Sequence, residues 1–365
     1  MRPESINELM RIIAEAAAAG DKLELRSGGS KLEVGAPREA QAVDMTGFCG
    51  ILDYDPAELV LTARAGTRLA EIEAAVAERG QMLAFEPVDH GPMFGRPEGS
   101  ATLGGVLAAG VSGSRRLSRG GARDHLLGFT AVSGRGEAFV GGGKVVKNVT
   151  GYDLSKVMAG SWGRLAALTE VTLKVLPRPQ VERSLAIDGL DPRAAVALMS
   201  RAMGSQAEVA AAAHEPDLTV IRLEGFGPSV EARSALLLSM APGARVLHED
   251  EAQRFWARLR NPLPGAEILW RVGIPPSRGP GVLEALGGAW LMDWAGGLIW
   301  SASEDAAAVR QAAEAAGGHA TLLRAPEAVR RAAPTLHPPS PGVAALESRV
   351  RRAFDPAGVF ETGRF

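Results

Sequence analysis

The sequence predicts two domains of mixed helix and strand, of the α/β or α+β class rather than a β-sandwich. Strands and helices alternate through residues 1–80, which is typical of these classes. The stretch 91–163 is dense in glycine but interleaved with apolar segments, which indicates folded loops rather than a linker. Beyond residue 182 the pattern β-α-β-β-α-β occurs twice. The length of 365 residues suits two domains.

The N-terminal elements are predicted from capping and periodicity. Ser5 and Glu8 have the spacing of a capping box and precede an amphipathic helix over 6–19, which Gly20 ends. The residues that follow alternate in polarity, as a half-buried strand does. The remaining predictions in this part are strands over 22–26 and 59–65 and a helix over 69–79.

The second half is predicted to begin after a linker at 177–182 (Pro-Arg-Pro-Gln-Val-Glu). The first copy of the pattern comprises strands 184–187, 209–213, 218–223 and 244–248, and helices 192–203 and 229–240. The second copy comprises strands 267–274, 289–294, 298–301 and 319–323, and helices 281–286 and 304–316. Each copy has the split order of a ferredoxin-like unit, and two such units can merge into one antiparallel sheet covered by helices.

Composition excludes several classes of protein. A net charge of −2 argues against nucleic-acid binding, which usually requires a basic excess. The single cysteine, Cys49, excludes a disulfide framework or an all-cysteine cluster and fits a reducing compartment. No apolar run reaches the roughly 20 residues of a membrane-spanning helix, and acidic residues interrupt the N-terminal stretch where a signal peptide would lie. Peripheral attachment to a membrane remains open.

Three glycine-rich segments are candidates for function. Arg26-Ser-Gly-Gly-Ser-Lys31 follows a predicted strand, and its small residues allow backbone N–H groups to converge on an anion such as phosphate. A plain strand-ending turn is an equal alternative. The second segment, 99–113, carries glycines and hydroxyls over fifteen positions, which favours a narrow cofactor groove over a buried loop. The third, 141–163, combines glycines with Lys144, Lys147 and Asp153, which are either functional or simply solvated.

Other catalytic templates are absent. Gly143-Lys144 lacks the upstream glycine and the following hydroxyl of a phosphate-binding P-loop, and no G-x-G-x-x-G follows an early strand. The six histidines never pair at metal-ligand spacing, and no G-x-S-x-G nucleophile elbow occurs. A P-loop nucleotide site, a Rossmann nicotinamide site and a histidine metal site are therefore not expected.

Together, the three segments resemble the FAD flavoprotein family of vanillyl-alcohol oxidase and p-cresol methylhydroxylase over residues 1–178. Segments 146–154 (Val-Lys-Asn-Val-Thr-Gly-Tyr-Asp-Leu) and 160–163 (Gly-Ser-Trp-Gly) are similar to its D-lactate and glycolate dehydrogenase branch. Residues 354–360 and Gly363-Arg364 resemble the terminal signature of that branch. The short chain is most similar to the FAD-binding subunit of bacterial glycolate oxidase.

The resemblance implies an α+β fold with three parts. A two-part FAD-binding domain of the p-cresol methylhydroxylase type would span 1–178. An antiparallel cap domain of two ferredoxin-like units, for substrate or interaction, would span 179–340. A C-terminal segment, 341–365, would return to the FAD-binding domain.

The resemblance also implies FAD in an extended conformation, with the 27–31 loop holding the pyrophosphate. Relatives often carry a histidine in this loop that bonds to the flavin, and Ser30 stands there in this chain. Because serine cannot form that bond, the FAD is expected to be non-covalent. The implied cofactor-binding residues are Arg26, Ser27, Gly28, Gly29, Ser30, Lys31, Pro87, Thr102, Gly104, Gly105, Ser112, Gly113, Gly121, Glu170 and Val171.

The resemblance implies oxidation of a small 2-hydroxy acid, glycolate to glyoxylate, within a complex. The implied partners are a homologous catalytic FAD subunit and an iron–sulfur subunit, in the cytoplasm or on the inner face of the cell membrane. This chain lacks the histidine loop (Gly-His-x-Gly-Asp-Gly-Asn) of the catalytic branch. Arg271 is a candidate for binding the substrate carboxylate, but the sequence indicates no base for the hydroxyl proton.

Three functional hypotheses follow. An accessory flavin subunit is favoured over a self-sufficient dehydrogenase of an acid such as D-lactate, because no base is evident. A structural protein whose flavin pocket has decayed is the third. Five of the six tryptophans lie within 256–300, where they either fill the core of the second domain or anchor an interface.

Overall fold

The computed structural model describes residues 1–144 and 151–365. Its N-terminal part contains a five-stranded antiparallel sheet and two small strand pairs. The strands are β1 Leu23–Arg26, β2 Gln41–Asp44, β3 Ile51–Asp55, β4 Val60–Arg64, β5 Gln81–Met82, β6 Leu126–Ser133, β7 Ala138–Gly142, β8 Ala166–Lys174 and β9 Leu176–Pro177. The helices are α1 Ile6–Ala19, α2 Leu69–Ala77, α3 Leu103–Ala109, α4 Arg116–Arg119, α5 Ala122–His125 and α6 Leu154–Met158.

The five-stranded sheet has the order β3-β4-β8-β6-β7, which places β8 at its centre. Strands β1 and β2 form a separate parallel pair, and β5 pairs with β9. Helices α2 and α3 pack their apolar faces on the five-stranded sheet around Phe129, Val171 and Leu173. Helix α1 packs in a second core with the β1–β2 pair. Burial of these apolar faces is the main stabilising contribution.

Helix α1 shows how local sequence sets an element. The Ser5 hydroxyl accepts a hydrogen bond from the backbone N–H of Glu8, and the Glu8 carboxylate accepts one from the N–H of Glu4. These bonds satisfy N–H groups that have no partner within the helix. At the other end Gly20 adopts φ 78°, a left-handed conformation that glycine tolerates best.

The C-terminal part contains one eight-stranded antiparallel sheet, here called the cap sheet. Its strands are β10 Val181–Asp188, β11 Ala211–Glu215, β12 Leu218–Gly225, β13 Arg245–Val246, β14 Leu269–Gly273, β15 Trp290–Asp293, β16 Leu298–Ser301 and β17 His319–Arg324. The helices of this part are α7 Pro192–Met203, α8 Gly227–Met240, α9 Glu249–Arg260, α10 Gly279–Leu286, α11 Ala306–Ala315, α12 Glu327–Ala332 and α13 Pro341–Phe354.

The cap sheet has the order β13-β10-β12-β11-β15-β16-β14-β17. Strands β10 to β13 and strands β14 to β17 therefore form two halves with the same internal order, joined where β11 meets β15. Helices α7, α8, α10 and α11 contribute to the core on one face. Helix α9 covers the other face through Phe255 and Leu259, beside Val34 and Met93 of the N-terminal part. This second face is turned toward the glycine-rich loops.

The connection between the two parts is short and anchored. Strand β9 ends at Pro177 and β10 begins at Val181. The backbone N–H of Arg178 donates to the Gly80 carbonyl, and its side chain donates to the Gln81 carbonyl. The predicted linker at 177–182 is thus bound to the N-terminal part rather than free.

The C-terminal segment runs back over the N-terminal part. Val359 and Phe360 pack with α1, and Asp355 accepts hydrogen bonds from the backbone N–H groups of both. Arg364 then lies with its guanidinium 5.4 Å from the centre of the Trp162 ring. Across residues 1–144 and 151–365, no helix combines the length and apolar character that crossing a bilayer requires.

Candidate functional site

A small cavity of about 120 Å³ lies where β1 ends, under the loop that follows it. Because the strand stops at Arg26, the next residues are free to turn and to present backbone N–H groups. The cavity brings together nine residues that the sequence singled out, namely Arg26, Ser27, Gly28, Gly29, Ser30, Lys31, Thr102, Gly104 and Gly105. The first and second glycine-rich segments therefore form one site.

Two glycines of this loop are required for different reasons. A Cβ on Gly28 would lie 1.5 Å from the carbonyl oxygen of Ser100, so the two loops meet backbone to backbone. A Cβ on Gly29 would make only an ordinary contact with the Leu32 side chain, at 3.5 Å, but Gly29 adopts φ 76°, a conformation that costs energy for any residue with a side chain. The loop is thus held in a shape that other residues do not readily adopt.

The small cavity has cationic walls and polar atoms without partners. Lys31 is buried, and its ammonium donates to the Ser30 hydroxyl at 3.2 Å. Burial lowers the pKa of Lys31 to about 8, an effect that nearby Arg364 strengthens and Asp89 opposes. The buried Ser27 hydroxyl has no hydrogen-bond partner among the described residues. An anion with several oxygens, such as a diphosphate, matches this set of donors.

A larger cavity of about 950 Å³ lies between the glycine-rich loops and the cap sheet. Ala109 and Trp162 line both cavities, so the two adjoin and are here together called the groove. Ser112 and Gly113, two of the implied cofactor-binding residues, line the larger one. A groove with a cation-lined end the size of a diphosphate and a wide end fits an extended dinucleotide.

The cap sheet presents Arg271, Trp300 and Asp293 to this larger cavity, from β14, β16 and β15 respectively. Among the described residues, no carboxylate lies within ion-pair distance of Arg271. Burial, together with the charge of nearby Arg116, lowers the pKa of Arg271 to about 10. Because this pKa is still well above 7, Arg271 remains a cation at neutral pH. The guanidinium lies 4.9 Å from the centre of the Trp294 ring.

His90 also lines the larger cavity, from the N-terminal side. Burial lowers its pKa well below the usual value, and the charges of Lys31 and Arg271 lower it further, so the imidazole is neutral. Nδ1 of His90 and Nε1 of Trp300 have no partner among the described residues. Such atoms favour a bound polar ligand, because a buried donor or acceptor without a partner is costly.

A largely buried ionic cluster, with Glu182 exposed at its edge, lies at the wall of the larger cavity. Arg115 donates to Glu86, Glu182 and Glu224 at 2.7–2.8 Å, and Arg222 pairs with Glu86 and Glu224. Arg115 and Glu86 belong to the N-terminal part, and the other three to the cap sheet. The cluster therefore ties the two walls of the cavity together.

The family is apparent from comparison with known proteins. The FAD binding domain family matches residues 1–142. The glycolate oxidase subunit GlcE of Escherichia coli (strain K12) is 36% identical over 364 residues, which cover 98% of this chain and 96% of that protein. The chain belongs to the glycolate oxidase subunit GlcE family of FAD-binding oxidoreductases. The predicted cofactor, FAD, is thereby confirmed.

Other relatives match about half of the chain. Glycolate oxidase subunit GlcD of Bacillus subtilis (strain 168) is 30% identical over 185 residues, 50% of this chain and 38% of that protein. A D-lactate dehydrogenase of Archaeoglobus fulgidus is 31% identical over 188 residues, 51% of this chain and 40% of that protein. The fold is shared with alkyldihydroxyacetonephosphate synthase at TM-score 0.67 and 15% identity, over 99% of this chain and 76% of that one.

Four predicted site residues of this FAD-binding chain line neither cavity. Val171 lies in the core of the five-stranded sheet, and Glu170 accepts a hydrogen bond from Thr130 on the neighbouring strand. Gly121 donates its N–H to Asp124 at the start of α5. The carbonyl of Pro87 accepts from Arg260, although residues 86 and 88 line the larger cavity.

The third glycine-rich segment lies mostly outside the groove. Lys144 forms an exposed ion pair with Asp53, and Asp153 caps α6. These two side chains are solvated or structural, as the alternative interpretation held. Lys147 and the remainder of 145–150 lie outside the described residues. Trp162, from the end of this segment, does line both cavities.

Sequence reasoning missed the acidic side of the large cavity. Asp293 and Glu224 are buried and Glu86 is half-buried in this region, and none of the three lies in a recognisable motif. The available signal was an aspartate in an otherwise apolar strand, Trp290-Leu-Met-Asp293. The tryptophans of 256–300 are buried or half-buried within the cap sheet and the cavity, which favours the core interpretation over interface anchors. No cluster suited to a metal ion occurs among the described residues.

Proposed function

We propose that the chain is the FAD-binding subunit of a complex that oxidises a small 2-hydroxy acid, with glycolate as the substrate. One observation carries the chemistry: the larger cavity is lined by Arg271, a cation without a carboxylate partner among the described residues. A guanidinium in that position suits the carboxylate of a 2-hydroxy acid, because charge-assisted bonds to carboxylates are strong. The name of the relative with near full-length similarity supports glycolate over other acids.

The residues of the small cavity, 26–31 with Thr102, Gly104 and Gly105, would hold the pyrophosphate of FAD. Ser112 and Gly113 would lie against its flavin end. Bound flavin supplies two-electron oxidation, and the protein's part is to bind, orient and exclude water. The absence of a histidine at position 30 supports non-covalent binding.

We place the protein in an assembly with a larger FAD subunit and an iron–sulfur subunit. The single Cys49 cannot supply the four thiolates that such a cluster requires, so electrons leaving the flavin need a partner. Any association with the inner face of the membrane would then be made through the complex. A self-sufficient dehydrogenase of D-lactate or a similar acid is the second candidate, and Arg271 is compatible with both.

The test is anaerobic reduction of the flavin, both in the complex and in the isolated FAD-loaded chain. Reduction is measured by the loss of the flavin's yellow colour. Glycolate and D-lactate are the substrates. Reduction of the complex by glycolate supports the proposal, and iron analysis together with co-purification tests the partners. Failure of both acids to reduce either preparation overturns it.

The Arg271 assignment is tested by Arg271→Met against Arg278→Met, a matched change at an exposed arginine of the same part. Arg271→Met removes a charge-assisted contact worth about 1.5–3 kcal/mol. The glycolate concentration that gives half-saturation should therefore rise by about 10–150-fold in this variant. Arg278→Met should behave as the unmodified protein. Equal behaviour of the two variants would remove Arg271 from the site.

A further inference from the structure

Asp293 is a buried carboxyl at the end of β15 that no structural ion pair explains. Its side chain lines the large cavity and is 3% exposed. One carboxylate oxygen accepts from the Ser114 hydroxyl at 2.7 Å, and the other accepts from the backbone N–H of Trp294 at 2.7 Å. Across residues 1–144 and 151–365, no lysine or arginine lies within 4.0 Å of it. Burying a carboxyl group without an ion-pair partner costs folding free energy, so a structural role does not explain why Asp293 is there.

The backbone after Asp293 holds the carboxyl in place. Trp294 and Ala295 adopt φ 52° and 53°, two consecutive left-handed conformations in residues with side chains. Strain of this kind persists where the surrounding contacts over-determine it, and it is concentrated at functional sites. The Trp294 indole also donates to the carbonyl of Gly113, in the glycine-rich segment of the N-terminal part. Asp293 is therefore fixed from both parts.

The charged groups that face Asp293 come from several elements. Arg271 on β14 and Arg116 on α4 lie over the Trp294 ring, at 4.9 and 4.8 Å from its centre. Glu86 and Arg222 act on the carboxyl from the ionic cluster. Arg271 is thus near Asp293 without pairing with it. A substrate carboxylate bound to Arg271 would bring its neighbouring hydroxyl into the same space.

We propose that Asp293 accepts the hydroxyl proton of the 2-hydroxy acid whose carboxylate binds Arg271, so that substrate oxidation occurs on this chain. This inference rests on the proposed function. The O–H bond breaks and its proton passes to the Asp293 carboxylate, while the α-hydrogen leaves with two electrons as hydride to the bound flavin. The C–O single bond becomes the carbonyl of the 2-oxo acid, and atoms and electrons balance.

Two features favour Asp293 over His90 as the proton acceptor. Burial raises the pKa of Asp293 to about 6, and the hydrogen bonds from Ser114 and Trp294 oppose that rise. A base is most effective when its pKa lies near the working pH. The pKa of His90 is held well below its usual value, which makes its imidazole a weak acceptor. Asp293 is also on the same wall of the cavity as Arg271.

The test measures the rate of anaerobic flavin reduction by glycolate in the FAD-loaded full chain, between pH 5 and pH 8. In the unmodified protein the rate should rise with pH and level off above about pH 6, since the base must be ionised. Asp293→Asn keeps the size of the side chain, and should slow reduction by about 100-fold or more and lose this pH dependence. Asp217→Asn, at an exposed turn of the cap sheet, is the matched control.

Ser114→Ala gives a second readout that a purely structural role would not move. Its hydroxyl stabilises the ionised carboxyl, so its removal should shift the midpoint of the pH profile upward. FAD content and thermal unfolding of each variant are measured alongside. A shifted midpoint with normal FAD content supports the proposal even if Asp293→Asn folds poorly.

The outcomes separate this inference from the proposed function. Asp293→Asn with an unmodified rate, or Ser114→Ala with an unmoved midpoint, overturns the role of Asp293. Reduction of the complex but not of the isolated chain also overturns the role of Asp293, because the acid is then oxidised at the flavin of the partner. The proposed function of the complex is unaffected by that result. Reduction of neither preparation overturns both.

Discussion

Gly28→Ala is expected to abolish FAD binding, because the added methyl group would overlap the backbone of the neighbouring loop. It would lie 1.5 Å from the Ser100 carbonyl oxygen, whereas ordinary contacts begin at 3.4 Å. One of the two loops must move by about 2 Å to restore contact distance. The Ser100 loop is held, since its carbonyl accepts from Arg68 and the N–H groups of Gly99 and Ala101 donate to Asp89. The diphosphate loop is therefore the one displaced.

Gly29→Ala in the same loop is the matched comparison. Its methyl group would meet only the Leu32 side chain, at 3.5 Å, so no clash arises. The remaining cost is the left-handed backbone, about 1–2 kcal/mol. That cost corresponds to about 5–30-fold weaker binding if it falls on the bound conformation. Gly29→Asn should lie closer to the unmodified protein, since asparagine tolerates this conformation.

The assay is titration of FAD into each apoprotein, followed by quenching of flavin fluorescence, together with melting curves. Free FAD at 100 times its dissociation constant should stabilise the unmodified protein by about 2.7 kcal/mol, and Gly28→Ala should show no such gain. The expected order of affinity is unmodified, Gly29→Asn, Gly29→Ala, then Gly28→Ala. Gly28→Ala binding FAD within threefold of the unmodified protein would refute the placement of this loop.

Three further outcomes are expected. Acid precipitation should release the flavin into the supernatant, because Ser30 cannot bond covalently to it; colour retained by the denatured chain would contradict this. FAD affinity should be constant below about pH 8 and weaken above it, because the ammonium of Lys31, with a pKa of about 8 in the free protein, is stabilised by the bound diphosphate. Titrations at pH 7 and 9 test this, and Lys31→Met should bind weakly at both. Arg115→Met should lower the free energy of unfolding in urea by about 3–5 kcal/mol, since the single charge of Arg222 then faces both Glu86 and Glu224 and one negative charge is left uncompensated. Arg193→Met, at an exposed ion pair, should change it by less than about 0.5 kcal/mol, and equal losses would argue against the ionic cluster.

The helices that local signals specify were predictable. The predicted bounds 6–19 and 192–203 coincide with α1 and α7, because a capping residue and an apolar stripe act within one or two turns. Among the longer helices, α9 at Glu249–Arg260 and α13 at Pro341–Phe354 were not predicted from the sequence. Six of the twelve residues of α9 are charged, so its mean hydropathy is low even though Phe255 and Leu259 lie on one face. Helix α9 is stabilised because Phe255 and Leu259 pack on the face of the cap sheet that α7, α8, α10 and α11 leave uncovered.

The same distinction applies to the site. The anion-binding loop was predictable, because its glycines and hydroxyls are adjacent in the chain. Glu170 and Val171 were selected by position in a motif, but β8 is the central strand of its sheet and directs Val171 into the core. A motif identifies the segment near the cofactor, whereas the pleat of the strand decides which side chains face it.

The sequence by itself determined the family, the cofactor, the strands of the cap sheet and the loop that suits a diphosphate. These depend on residues close together in the chain. The tertiary structure alone decided which side chains line the large cavity. Asp293 and its partner Ser114 are separated by 179 positions, and Arg271 reaches the same cavity from another strand. Contacts of this kind arise only when the cap sheet docks on the glycine-rich loops, and burial there shifts the pKa of Asp293 toward neutrality.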